Sequence, residues 1–422
     1  MKFNKVIIAC CAFLFGANNL PAQPNGQALV YKGAVIHVGN GKIIPNGMVI
    51  CQGGKIVYVG ENTAGAGKNG IVKDVTGKHL YPGLIALNNI AGLNEIDAAK
   101  PTHDYAEVGN LNPNIRSAPA YNCDSKILPT MLYNGILFTQ PTPQGGSISG
   151  TSSIMATSCN NWPAAAVKTD AAMHIRWPEF TPHARMGNDK IREAKEHTQQ
   201  SIVALKSFFT EAAAYHKMNN PQPQQLKFEA CKKLFNGNQK LFLHVTQPDV
   251  LVDAALFFKS LNVAVVWASA NRAAEIIPFL QEQQLAVVVN SIHRLPSVSQ
   301  SSVNEPYALP AVLAKNNIPF AITYSGSWEV RSLPYSVGTA ITYGLDKEVA
   351  LSCVTMQAAN MAGVGDVLGT IEEGKSASLI ICGGDIFDMQ SGKIEEVLLN
   401  GINVDLNENK QIQLYKKYNE AK

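Results

Sequence analysis

A small set of side chains in this sequence could do chemistry. His244 closes the apolar run "KLFLHVTQ", His293 follows "VVVNSI", and His174 stands in "AAMHIRWPEF" with Arg176 and Trp177. Imidazoles are common zinc ligands and the side chains that most readily exchange protons near neutral pH. No two of them have the local spacing of a ligand pair, so any joint site has to be assembled by the fold. His103 and Asp104 in "KPTHDYAEVG" are neighbours without a third partner. Ser325 in "TYSGSW" mimics part of a nucleophile elbow, but G-x-S-x-G is incomplete and no helix follows at once. Glu95 and Asp97 could be half of a glycosidase pair, yet no second carboxylate stands at a matching strand end. "TPQGGSISGTSS" lacks the Lys of a P-loop and reads as a tight-turning loop whose amides could hold an anion.

Such residues need a scaffold. From about residue 28 to 80, β-branched and apolar residues alternate between the turns "GNGK", "PNG" and "QGGK". "GTIEEGKSASLIICGGDIFDMQSGKIEEVLLNGINV" near the other end has the same texture. The long middle instead alternates apolar strands ("GILFTQPTP", "QKLFLHVTQ", "LAVVVNSI", "IPFAITYSG") with helices such as "IREAKEHTQQSIVALKSFFTEAAAYHKM" and "PDVLVDAALFFKSL". Strands buried on both faces, each followed by a helix, indicate a parallel sheet, and their number favours a (β/α)8 barrel. The expected architecture is α/β: a (β/α)8 TIM-type barrel over residues 82–363, inserted in a small β-sandwich formed by residues 23–81 and 364–410. Chemistry in such barrels sits at the C-terminal ends of the strands. His174 falls in a loop-like stretch between strands. "DYAEVGNLNPNIRSAPAYNCDS", carrying Asn114 and Arg116, reads as a long loop shaping a pocket over the same face.

Composition narrows the role. With 422 residues, 46% hydrophobic and 16% charged, the chain can bury a large core. A net charge of +3, without any basic stripe, argues against nucleic acid as a partner. Lys2 and Lys5 precede "VIIACCAFLFGA", a run too short to span a bilayer, and "NNLPAQ" offers a cleavage site near Ala22. Residues 1–22 therefore read as an export signal, predicting a periplasmic or secreted protein without a stable membrane span. Lipidation at Cys10 is disfavoured because the apolar run continues past it. The six remaining cysteines show no C-x-x-C, their spacing specifies no disulfide, and buried free thiols are the usual outcome.

Three segments carry a family resemblance. "PGLI" after the N-terminal β unit resembles the PGLID-x-H-x-H opening of the amidohydrolase superfamily, in its imidazolonepropionase-like branch. "TMQAANMAGVGDVLGTIEEGKSASLII" resembles that family's closing segment, and "KLFLHVTQPDVLVDAALFFKSLNVAVV" its fifth strand and following helix. The resemblance covers nearly the whole mature chain. It implies metal-assisted hydrolysis of a cyclic amide or related non-peptide C–N bond, with zinc acidifying a bound water.

Residue by residue, however, the ligand positions depart. Asn88 and Ile90 stand where the first-strand histidines belong, and Ala86 where the Asp precedes them. Only His244 matches. Trp267, Ala268 and Ser269 occupy the sixth-strand position, and Tyr324, Ser325 or Gly326 the eighth-strand Asp. A zinc centre needs three protein ligands even when catalytic. Two expectations follow: a hydrolase whose metal site is largely lost, or an inactive, metal-free relative that binds a small molecule or partners an active paralogue or a second copy of itself. His244 is the single candidate catalytic residue and ligand, and zinc belongs only to the first expectation. Asn88, Ser269, His293, Ser325 and Arg116 are the candidate pocket-lining residues. A site rebuilt from His244, His293 and His174 is the remaining route to a metal.

Overall fold

The computed structural model describes residues 26–63, 70–182, 186–218 and 221–419, so the stretch expected to be an export signal lies outside the described residues. Five strands come first: β1 (Leu29–His37), β2 (Ile43–Gln52), β3 (Lys55–Glu61), β4 (Ile71–Asp74) and β5 (His79–Pro82). The next eight are β6 (Leu84–Asn89), β7 (Ile136–Pro141), β8 (Ile148–Ala156), β9 (Ala166–Arg176), β10 (Lys240–His244), β11 (Val265–Trp267), β12 (Ala286–Asn290) and β13 (Phe320–Thr323). Three close the chain: β14 (Leu379–Cys382), β15 (Ile394–Leu399) and β16 (Ile402–Asn403).

Strands from both chain ends share one sheet, in the order β16-β15-β14-β5-β1-β2-β3, with β4 beside β1. β1 changes partner along its length, from β4 at Leu29–Lys32 to β5 at Val35–Ile36. The change falls around Gly33, where a positive φ, and a Cβ that would meet Thr76 Oγ1 at 2.2 Å, leave no room for a side chain. β14 joins this sheet to the rest by its alternation: Leu379 and Ile381 enter the sheet's own core, while Ile380 and Cys382 face the barrel core.

The second sheet runs β13-β12-β11-β10-β9-β8-β7-β6. Its ends meet where the Thr323 hydroxyl on β13 donates to the Leu87 carbonyl on β6, leaving a nearly closed eight-strand barrel. Strands such as "LFL" in β10 and "VVV" in β12 are buried on both faces between the barrel interior and the surrounding helices. The barrel departs from an all-parallel plan in one place. β8 runs antiparallel to both β7 and β9, and no helix separates β7 from β8. The Gly/Ser-rich segment expected to be a loop is thus, from Ile148 onward, a fully buried wall strand. Its serines escaped a strand reading because they are polar, yet they face hydrogen-bond partners inside the wall. His174 likewise lies in an eleven-residue strand rather than a loop. Asp170, at a left-handed φ of 53°, interrupts the alternation that would have revealed it.

Helix Asn188–His216 buries Leu205, Phe209 and Ala212 at helical spacing, while its N-terminal half stands in solvent above the barrel mouth. A disulfide joins Cys123 to Cys159, a pairing the spacing did not reveal; Cys51, Cys231, Cys353 and Cys382 are buried free thiols. No helix among the described residues is long and apolar enough to cross a membrane.

Candidate functional site

The C-terminal ends of the barrel strands carry a chain of hydrogen bonds. Asn88 lies at an irregularity near the end of β6, in the left-handed conformation (φ 49°) that Asn tolerates better than most residues. Its backbone N–H donates to Gln140 Oε1 on β7 at 3.0 Å, and its Nδ2 reaches across to the Ala268 carbonyl after β11 at 3.3 Å. Gln140 Nε2 donates to Ser152 Oγ on β8 at 3.0 Å. Ser152 Oγ lies 2.7 Å from His174 Nε2 on β9, and His174 Nδ1 lies 3.0 Å from His244 Nε2 at the end of β10. Gln140, Ser152 and His174 are fully buried.

One backbone amide fixes the orientation of Gln140, and the Ser152 proton decides the bonds beyond it. An N–H can only donate, so Gln140 presents its oxygen to Asn88 and its NH2 to Ser152. The Ser152 proton then goes to His174 Nε2 at 2.7 Å in preference to the Ala172 carbonyl at 3.5 Å. His174 therefore carries its proton on Nδ1 and donates to His244 Nε2. His244 keeps its own proton on Nδ1, which has no partner among the described residues. Burial, and secondarily the neighbouring His244, hold His174 well below the ordinary histidine pKa. Burial, and then the adjacent Arg176 guanidinium, lower His244 to about 3. Both imidazoles are neutral at neutral pH.

This arrangement does not fit a divalent metal. His244 Nε2 is already accepting a hydrogen bond, Ile90 has no donor atom, and Ser269 and Ser325 supply only neutral hydroxyls. Among the described residues no three His, Cys, Asp or Glu side chains are grouped as a metal site would require. The Ser152–His174 contact resembles a nucleophile and its base, but both are sealed from solvent, so no substrate carbonyl can reach Ser152 Oγ.

The other candidate residues are placed apart. His293 is exposed, with Nδ1 on the Tyr324 hydroxyl (2.8 Å) and Nε2 on Thr339 Oγ1 (2.9 Å), and does not join the His174–His244 pair. Arg116 binds Asp170 at 2.7 Å, about 20 Å along β9 from Arg176 at strand rise. Burial works against ionisation of Asp170, but hydrogen bonds from Arg116 and Lys233 outweigh it and hold the carboxyl below its ordinary pKa. Ser325 is half-buried beyond β13. Glu95 accepts from Asn122 and Ser125, and Asp97 accepts from Asn94.

Above the network opens a cleft of about 670 Å³, lined among others by Arg176, Glu179, His244, Ser269, Ser147 and His197. Gln140, Ser152 and Arg176 were not among the residues the sequence singled out for a site. Gln140 did leave a signal, as a polar side chain inside a run otherwise fit for a barrel wall, whereas Ser152 stood in a segment read as a loop.

No protein-family model matches the chain, and no curated protein matches it in sequence. Solved structures do. An amidohydrolase from Thermotoga maritima MSB8 superposes with a TM-score of 0.76 at 20% identity, covering 89% of this chain and 99% of that one. The chain has the amidohydrolase fold. Molinate hydrolase matches at TM-score 0.55 and 14% identity, over 92% of this chain and 96% of its own. An adenosine deaminase from Xanthomonas campestris, solved with bound zinc, matches at 0.54 and 15% over 93% and 99%. Against this amidohydrolase-fold background, the two ends of the polar chain, Asn88 and His244, stand where the family resemblance places metal ligands.

Proposed function

We propose that this protein is a metal-free member of the amidohydrolase superfamily, a (β/α)8-derived barrel with one reversed strand, which binds a small molecule at its mouth without hydrolysing it. The observation that carries this reading is the directed chain Asn88–Gln140–Ser152–His174–His244. It satisfies the buried polar groups at the strand ends with one another, and it ties up the one matched ligand nitrogen. Restoring a metal would require breaking that chain, leaving buried donors and acceptors unpaired at about 1–3 kcal/mol each.

The second reading, a surviving hydrolase of non-peptide C–N bonds, has the hydrolases among the structural neighbours in its favour. Elemental analysis of protein purified without chelators separates the two. The expected result is far less than one zinc per chain and no metal-stimulated hydrolysis of hydantoins, lactams or dipeptides; about one zinc per chain with such activity would sink the metal-free reading. We further propose export to the periplasm or medium. The basic, apolar N-terminal sequence supports this, as does the Cys123–Cys159 disulfide, a bond at home in oxidising compartments. Cell fractionation tests it, and recovery of uncleaved chain in the cytoplasm would overturn it. A second copy or an active paralogue is the partner class this reading allows, and light scattering with and without the paralogue would detect either.

A further inference from the structure

The mouth cleft differs from an ordinary polar hollow in which of its groups remain unengaged. Two of its acceptors, Glu179 and Asn110, are taken. Glu179 receives the Thr246 N–H and hydroxyl, both at 2.9 Å, and the Gln247 N–H at 3.1 Å, at the start of helix Pro248–Ser260. Asn110 Oδ1 receives the Ser147 N–H and hydroxyl at 2.8 and 3.0 Å.

Three of its donors are not taken. The Arg176 guanidinium has no hydrogen-bond or ion-pair partner among the described residues, although it ends a barrel strand. On β9 it lies two residues beyond His174, hence on the same face, and it stands directly beside His244 in the β9–β10 register. His244 offers Nδ1–H, for the reason given by the hydrogen-bond direction. The Ser269 hydroxyl also lines the cleft and has no partner among the described residues.

We propose that this cleft binds a small-molecule monocarboxylate, with Arg176 as the charge partner and His244 Nδ1–H as a neutral donor. The inference rests on the metal-free reading, because a metal on His244 would alter that donor. Glu179 is the carboxylate of the cleft and is already engaged by Thr246 and Gln247, so the unpaired Arg176 guanidinium is left to match one negative charge on a ligand. The planar guanidinium fork suits a carboxylate bidentately, and a phosphate dianion would leave a charge unpaired. The volume admits a ligand of drug-like size or smaller. The buried chain beneath acts as the positioning element: it fixes the tautomer of His244 and so decides that a donor, rather than an acceptor, faces the ligand.

The test is isothermal titration of the full chain, treated with chelator, against alkyl and aryl monocarboxylates. Each is paired with its primary amide and its phosphate monoester. The expected result is a carboxylate that binds at least about tenfold tighter than its amide, with affinity falling about tenfold or more in Arg176→Gln and partly recovering in Arg176→Lys. Three results overturn the proposal: no carboxylate exceeding its amide, unchanged affinity in Arg176→Gln, or a phosphate ester preferred over the carboxylate. Elemental analysis of the protein before chelator treatment keeps the two readings apart. Stoichiometric zinc with Arg176-dependent carboxylate binding defeats only the metal-free reading, and zinc-free protein with Arg176-independent binding defeats only this one.

Discussion

Two histidine pairs in this molecule share one geometry and differ in what surrounds them. In the barrel, His174 and His244 meet nitrogen to nitrogen at 3.0 Å and continue into hydroxyl and amide partners. At the junction between barrel and sheet, His37 on β1 and His79 on β5 meet at 2.9 Å, with Tyr81 stacked 4.4 Å from His37. There the far nitrogen of His37 lies 2.7 Å from Glu348, on the helix that Asp346 caps, so a carboxylate pins its proton on Nδ1. The barrel pair is a neutral chain whose direction comes from the Ser152 hydroxyl; the junction pair is a latch tied to an acid. The difference shows that a histidine contact across strands says little about chemistry until its next neighbour is known.

Removing the centre of the barrel chain should have the largest effect. His174→Ala opens a cavity and orphans Ser152 and His244, so we expect a loss of about 3 kcal/mol in chemical denaturation. A change below about 1 kcal/mol would mean the chain is not continuous.

Acid comes next. The unfolded chain protonates His244 near 6.5, whereas the folded protein holds it neutral down to about 3. The unfolded state therefore binds more protons in that window, and stability present above pH 6.5 is lost as pH falls toward 3. His244→Gln should flatten this loss by up to ~1.4 kcal/mol per pH unit. Equal slopes in both proteins would contradict the neutral assignment.

Glu348→Ala at the junction should cost about 1 kcal/mol, because it removes a carboxylate from a mostly buried hydrogen bond. It should also leave carboxylate affinity at the mouth unchanged, which titration checks and which sharpens the separation of latch from site. Smallest is Arg176→Gln, expected to move the unfolding midpoint by less than about 0.5 kcal/mol, since the side chain is exposed and unpaired. A larger loss would make Arg176 structural rather than ligand-directed.

Much of the scaffold was legible along the chain. "FLH", "VVV" and "FAIT" are apolar runs that only a strand buried on both faces accommodates, and the β texture at the two ends marked the shared sheet. The reversed strand β8 was not legible. Strand direction depends on which neighbour supplies hydrogen bonds, and "ISGTSSIMA" has the small polar residues of a loop. The disulfide was equally hidden, because Cys123 and Cys159 are 36 residues apart and only folding brings them together. Of the site, the residue types of Asn88 and Ile90 could be read along the chain, but the hydrogen-bond partners gathered at the strand ends could not.

The sequence by itself determined what the strand ends lack. An Ile cannot ligate and a Ser cannot stand in for an Asp, whatever surrounds them, because donor chemistry belongs to the side chain. Only the tertiary structure decided what those ends became. His174 and His244 lie 70 residues apart and meet because β9 and β10 pair in parallel register. The proton on His244 follows from a chain of partners that runs back to an amide on β6, four strands away. Hydrogen-bond direction is a property of the closed chain of partners, and that chain exists only once the barrel has formed.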